Sequence, residues 1–359
     1  GATDSAAATA ADTLNGDAGD DTFDGGTTSN GGDTLAGGAG TDTASYALRT
    51  VSVTVTVGAG ANDGESGETD TVSADVENVT GGTAADTITG SSGNNTISGG
   101  GGNDTLAGGD GDDTINGDAG DDTLDAGAVD TGADSYAGGA GTDTVSYSAR
   151  SSALTSDLDG TGDDGATGEL DNVRADVENV VGGSGVDTIT GSASANVLTG
   201  GAGADILNGG AGDDTFAEGA VNTDGDTFIG GAGTDTVDYS ARTAALTITM
   251  DGAAADDGLA GETDDVEADV ENILGGTAAD SITGNDGANT LEGGAGADTL
   301  VGGNGADELF GDAAVDSLNG GEGDDTLDGG AATDTLDCGT GEGDIVILGS
   351  GETGTGCEL

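Results

Sequence analysis

Apolar residues recur along this chain every nine positions, each two places after an acidic or amide residue and flanked by polar neighbours; Ile88, Ile97, Leu106, Ile115 and Leu124 mark one such run. The phrase between them is rich in glycine: Gly99-Gly-Gly-Gly-Asn-Asp104-Thr-Leu-Ala107, then Gly108-Gly-Asp-Gly-Asp-Asp113-Thr-Ile-Asn116, then Gly117-Asp-Ala-Gly-Asp-Asp122-Thr-Leu-Asp125. Written GGxGxDxUx with U apolar, the unit joins a six-residue turn ending in Asp to a three-residue strand whose middle side chain points inward. The period predicts an all-β fold, a right-handed parallel β-roll or β-solenoid built from these nonapeptides and interrupted by three β-rich spacers.

The turn-closing residues fall into four blocks. The first holds Asp12, Asp21, Asp33 and Asp42; the second Asp86, Asn95, Asp104, Asp113, Asp122, Asp134 and Asp143. The third holds Asp187, Asn196, Asp205, Asp214, Asp226 and Asp235; the fourth Asp280, Asn289, Asp298, Asp307, Asp316, Asp325 and Asp334. Of these 24 rungs, 21 carry Asp, and the inward position is apolar from Leu14 to Leu336, with only Ala44 breaking the run of larger residues. A longer repeat lies on top: GTDT begins at Gly40, Gly141 and Gly233, 101 and 92 residues apart, and the difference of nine is one rung. Length thus changes in whole rungs, as expected where each unit stacks only on its neighbours. The second-to-last rung of each of the first three blocks carries three extra residues, as from Asp122 to Asp134. The chain divides accordingly into a partial block at 1–45, which opens mid-unit, spacer 46–80, block 81–146, spacer 147–181, block 182–238, spacer 239–274, block 275–337 and a C-terminal cap at 338–359.

Each spacer opens with near-alternating apolar residues, clearest at Val51, Val53, Val55 and Val57, which predict a half-buried strand. An acidic glycine loop and a DVEN strand (Asp75, Asp176, Asp269) follow. The loop acids Asp63, Glu68 and Asp70, with Asp163, Glu169, Asp171, Asp256, Glu262 and Asp264, read either as a second kind of metal site or as a solvated loop; their spacing is not that of an EF-hand. Tyr46/Arg49, Tyr147/Arg150 and Tyr239/Arg242 recur in register, and for the arginines a salt bridge to a neighbouring carboxylate is favoured over ligand binding.

Composition narrows the chemistry. Aromatics are 2% of the 359 residues and 77 are glycine, so the core is thin; without proline or a three-residue period, this is not collagen. Seventy acidic residues against four Arg, with no Lys or His, give a formal charge of −66. Phosphate-directed nucleic-acid binding is excluded for want of a basic stripe, and an anionic membrane surface is disfavoured on the same ground. Carboxylates stacked about 4.8 Å apart repel strongly unless a cation joins them. Carboxylate and carbonyl oxygens are hard donors, and only two Cys argue against zinc, copper or iron clusters, so multiple Ca2+ ions are the expected cofactor, on the order of 15 to 20. Cys338 and Cys357 flank the last strand and read as a disulfide staple worth roughly 3 kcal/mol, which implies an oxidising compartment. No starting Met, signal peptide or long apolar run is present, which reads as a processed chain without membrane insertion.

The repeat resembles the RTX family, secreted bacterial proteins whose nonapeptides wind into a calcium-loaded parallel β-roll with two nonapeptides per coil. Carried onto this chain, the resemblance implies that the 21 turn Asp residues bind calcium. Asn95, Asn196 and Asn289 depart from the pattern at the second rung of each long block and imply weak or empty sites there. Ala84 and Ala278 replace the glycine two places before Asp86 and Asp280, which puts the first turn of those blocks in doubt.

Catalysis requires one odd place, whereas this ladder offers many equal ones without His, Lys or a nucleophile beside a base, so no enzymatic activity is expected. The expected function is an extracellular or cell-surface structural protein: a calcium-stiffened rod, self-associating end to end as a filament, surface-layer or adhesin component. The alternative is a secretion and folding module separated from an enzyme; ice or glycan binding through the outward Thr ladder is disfavoured against ordinary strand propensity.

Overall fold

The computed structural model describes residues 11–27, 31–129, 132–220, 224–252, 257–349 and 353–357. Among them every regular element is a strand, and none forms a helix. The chain separates into two compact units, 1–181 and 182–359.

In the first unit the chain alternates between two stacks of parallel strands. One runs through Thr22–Asp24, Thr43–Ser45, Asn78–Thr80, Thr96–Gly101, Thr114–Ala119, Ser135–Ala140 and Asn172–Val173. Facing it are Thr13–Asn15, Thr34–Ala36 and Thr71–Val72, then Val53–Thr56, Thr87–Thr89, Thr105–Ala107, Thr123–Asp125, Thr144–Ser146 and Asn179–Val181. Pairing is in register, Thr96 with Thr114 and Ile97 with Ile115, so one coil is two nonapeptides; Thr114 pairs with Ser135 where the long rung intervenes.

The second unit repeats the plan. Val197–Thr199, Thr215–Ala217, Thr236–Asp238, Asn272–Leu274, Thr290–Glu292, Glu308–Phe310, Thr326–Asp328 and Ile345–Ile347 form one stack. Opposite lie Thr188–Thr190, Ile206–Ala211, Thr227–Ala232 and Asp265–Val266, followed by Leu246–Thr249, Ser281–Thr283, Thr299–Asn304, Ser317–Glu322, Thr335–Thr340 and Thr353–Thr355.

The U positions build the core. Ile88, Ile97, Leu106, Ile115 and Leu124 are fully buried, and each such side chain contributes roughly 1.5–3 kcal/mol. Ala44 is buried too and stands in the ladder between Phe23 and Val79. Phe216, Phe228 and Tyr239 form a ring ladder in the second unit, with centroids 5.7 and 6.2 Å apart.

The spacers are inserted coils. Val53, Val55 and Val57 point inward, but the strand starts at Val53 and Val51 is exposed, a correction to its expected start. Val53–Thr56 pairs antiparallel with Gly64–Glu65 and parallel with Thr87–Thr89. In the first unit Thr71–Val72 of the first spacer joins one stack and Asn172–Val173 of the second spacer joins the other, while Asn78–Thr80 and Asn179–Val181 take the opposite stacks. The DVEN segment supplies its strand only from Asn78, with Val76 and Val79 buried.

Candidate metal centre

Each turn Asp lies where the glycine-rich curve meets the strand, so its side chain folds back under the turn. Oδ1 of Asp104 accepts the amide of Asp86, one coil earlier, at 2.7 Å, and the amide of Asp104 donates to Oδ1 of Asp122 at 2.7 Å. The same link joins Asp21 to Asp42, Asp113 to Asp134, Asp122 to Asp143, Asp205 to Asp226, Asp214 to Asp235, Asp298 to Asp316, Asp307 to Asp325 and Asp316 to Asp334. The carboxylates therefore form continuous columns one coil apart.

The second oxygen carries the chemistry. In Asp42, Asp104, Asp122, Asp143, Asp205, Asp214, Asp235, Asp298, Asp307, Asp316, Asp325 and Asp334, Oδ2 is buried and accepts no hydrogen bond. A buried carboxylate oxygen without a donor is costly unless a cation faces it. Burial, reinforced by Asp122, Asp86 and Asp118, pushes Asp104 up to about 7. Burial raises Asp143, Asp205, Asp214, Asp298 and Asp307 to about 6. The first glycine of the turn leaves room beside that oxygen: a Cβ on Gly99 would collide with Oδ2 of Asp104 and lie 2.8 Å from the carbonyl oxygen of Gly117. The cradle is thus lined by a carboxylate oxygen and a backbone carbonyl from the next coil, a hard donor set suited to calcium.

Seven other turn Asp residues differ. Asp12 is exposed, with its amide on Oδ1 of Asp33 at 2.9 Å. Asp86, Asp187 and Asp280, first in their blocks, use Oδ2 to accept the amides of Gly82, Gly183 and Gly276 at 2.5, 2.8 and 2.8 Å. Asp33, Asp134 and Asp226 close the long turns and are tied to the spacers: their amides donate to Oδ1 of Asp70, Asp171 and Asp264 at 2.9, 3.0 and 3.0 Å. Tyr136 Oη donates to Oδ2 of Asp134 at 3.0 Å; burial, with Glu218 alongside, pushes Asp226 up to about 9.

The buried spacer acids Asp63, Glu68, Asp70, Asp171, Glu262 and Asp264, with the half-buried Glu169, are neither a solvated loop nor an open ligand set, whereas the exposed Asp163 stands with Asp157 and Asp159, a carboxylate oxygen of each within 4.8 Å of the others. Asp63 uses both oxygens, accepting the amides of Thr56 and Val72 at 2.7 Å each. In the second spacer this role belongs to Asp164, not Asp163, which is exposed and accepts Thr161 Oγ1. In the third it belongs to Asp257; Asp256 lies outside the described residues. Glu68, Glu169 and Glu262 pair with the buried Arg49, Arg150 and Arg242 at 2.9, 2.5 and 3.1 Å, as the favoured salt-bridge reading holds. Each guanidinium lies 5.9 Å from the ring centre of its Tyr.

Two features escaped the repeat count. Glu77, Glu178 and Glu271 of the DVEN motifs accept the amides of Asp42, Asp143 and Asp235 at 2.8 Å each, continuing the carboxylate columns through the spacers. Asp344 closes one more turn, its Oδ1 accepting the amide of Asp325 at 3.1 Å and its Oδ2 without a donor; the Asp344-x-Val346 spacing was the available signal. Cys338 and Cys357 form a disulfide with Cα atoms 5.1 Å apart.

Against known proteins, the family described as RTX calcium-binding nonapeptide repeat (4 copies) matches residues 7–30, 27–45, 73–106, 80–115, 98–130, 108–145, 181–216, 222–241, 274–309, 301–336 and 310–345. No curated protein matches the chain.

Proposed function

This chain belongs to the RTX calcium-binding nonapeptide repeat family, and from that premise we propose that it is an extracellular structural protein stiffened by its calcium ions. The observation that carries the reading is uniformity: one carboxylate-and-carbonyl cradle recurs through both units, as at Asp104, Asp205 and Asp307. Calcium supplies the positive charge between successive turns, held by the Oδ2 atoms and turn carbonyls. The disulfide supports an oxidising compartment. A chain of formal charge −66 repels itself where calcium is scarce and closes its coils cooperatively where calcium is millimolar. Absence of enzymatic activity belongs to the same reading.

End-to-end self-association extends it. Ile345–Ile347 pairs only with Thr326–Asp328 among the described residues and exposes Ile345 and Ile347 along its free edge. Circular dichroism followed by electron microscopy of the full chain, in calcium and in chelator, tests both steps. Strand signal and end-to-end assemblies that require calcium are expected. Unchanged strand content on chelation would overturn the calcium-stiffened reading, and only single particles in calcium would overturn self-association.

A further inference from the structure

The turns close in two ways. In the turn ending at Asp104, Gly100 and Gly102 are left-handed (φ +98° and +109°) and Oδ2 of Asp104 takes no amide. In the turn ending at Asn95, the residue four places earlier is Ser91, whose amide and hydroxyl both donate to Asn95 Oδ1, at 2.6 and 3.1 Å. Ser192 with Asn196 and Asn285 with Asn289 repeat the amide bond at 2.7 and 2.9 Å. The turn before each ends in Asp but closes identically, on the amides of Gly82, Gly183 and Gly276. None of these six amide donors has a left-handed φ.

The backbone explains the contrast. A left-handed residue four places before the turn acid rotates its N–H away from the carboxylate and leaves the oxygen to a cation. With negative φ, that N–H points at the same oxygen, occupies its lone pair and sets a positive dipole where the ion would sit. At the long turns a spacer arginine reaches the first residue of the turn. Arg49 donates to the carbonyl oxygen of Gly25, the first glycine of its long turn, and Arg150 to the carbonyl oxygen of Ala126, both at 2.7 Å. In the third spacer, Arg242 binds the Glu218 carboxylate at the matching position.

We propose that calcium binding in this chain is segmented: the two turns after each spacer close on their own amides, and neither takes calcium. Asp86, Asp187 and Asp280 are then hydrogen-bond acceptors, and the Asn residues that follow are spectators of an ion-free turn, not weakened ligands. The inference rests on calcium binding at the regular turns, and its test separates the two.

Bound calcium per chain, measured by equilibrium dialysis on the full-length protein, is compared among wild type, the triple variant Asn95→Asp, Asn196→Asp, Asn289→Asp, and the control Asp104→Asn, Asp205→Asn, Asp298→Asn. Restoring the acids is expected to leave the count unchanged, whereas the control loses roughly three ions or more. A gain of roughly three ions in the first variant would overturn the segmentation. A control that loses none would instead remove the calcium ladder itself, and the segmentation with it. Should a variant fail to fold, anomalous scattering from wild-type crystals grown in calcium decides: no ion is expected against Asp86, Asp187 or Asp280, and a peak there refutes the proposal.

Discussion

The guanidinium of Arg49 grips the carbonyl oxygen of Gly25 through Nη2 and Nε, at 2.7 and 3.1 Å, while its other contacts are the carboxylates of Glu65 and Glu68. Arg49 and Glu68 are both buried, so removing the cation leaves an uncompensated charge inside the first unit. Arg49→Ala is expected to cost about 3–5 kcal/mol, and Arg49→Lys less, since an ammonium keeps the buried carboxylates compensated although it cannot serve all three acceptors at once. Urea unfolding at saturating calcium measures it. A loss below about 1 kcal/mol would place the pair in the class of exposed salt bridges.

The ion cradle makes its own prediction. A Cβ on Gly117 would press on Oδ2 of Asp122 and lie 2.5 Å from the carbonyl oxygen of Gly138. Gly117 has no positive φ, so Gly117→Ala is open to the backbone itself and acts mainly by filling the cradle. The variant should bind less calcium and need more of it to fold. Gly219→Ala, where an added Cβ meets nothing within 4 Å, serves as the control and should match wild type in the same titration.

Acid should substitute for calcium. Burial holds Asp104 at about 7 and Asp143, Asp205 and Asp298 at about 6, above the unfolded value near ~3.9. A folded-state pKa raised in this way contributes stability that is fully present below the unfolded pKa and is lost as pH rises through the folded one. Without calcium, strand content should therefore be greatest near pH 4 and fall between about pH 5 and 7. Calcium binds the ionised carboxylates, so its apparent affinity should rise over the same interval. A calcium-free chain that gained strand signal on going from pH 4 to pH 7 would contradict this.

The period of nine was enough to locate the turns and the inward residues, because each depends on neighbours within one rung; the coil of two nonapeptides followed from the family resemblance. Contacts between coils were less legible. Asp164 rather than Asp163 reaches the backbone because it precedes the left-handed Gly165 (φ +89°), as Asp63 precedes Gly64 and Asp257 precedes Gly258. Aligning the spacers on Asp-Gly instead of on the first acid would have found it. Glu77 accepts an amide 35 residues away, a distance no local pattern encodes. The closed turns were half visible: Ser91, Ser192 and Asn285 stand where the repeat asks for glycine, yet their hydrogen bonds depend on the sign of φ.

The C-terminal staple should protect locally. Cys338, on the strand Thr335–Thr340, is fully buried, and its disulfide to Cys357 holds Thr353–Thr355 against that strand. Repeat stacks lose structure most readily where a coil has only one neighbour, so the staple acts where fraying begins. Closing a loop with a sequence separation of 19 contributes about 3 kcal/mol by restricting the unfolded chain. The double variant Cys338→Ser, Cys357→Ser is expected to raise amide hydrogen exchange in Thr335–Thr340 and Ile345–Ile347 while leaving Thr96–Gly101 as protected as in wild type. Even loss of protection through both units would mean that the staple governs the whole fold and not its last coils.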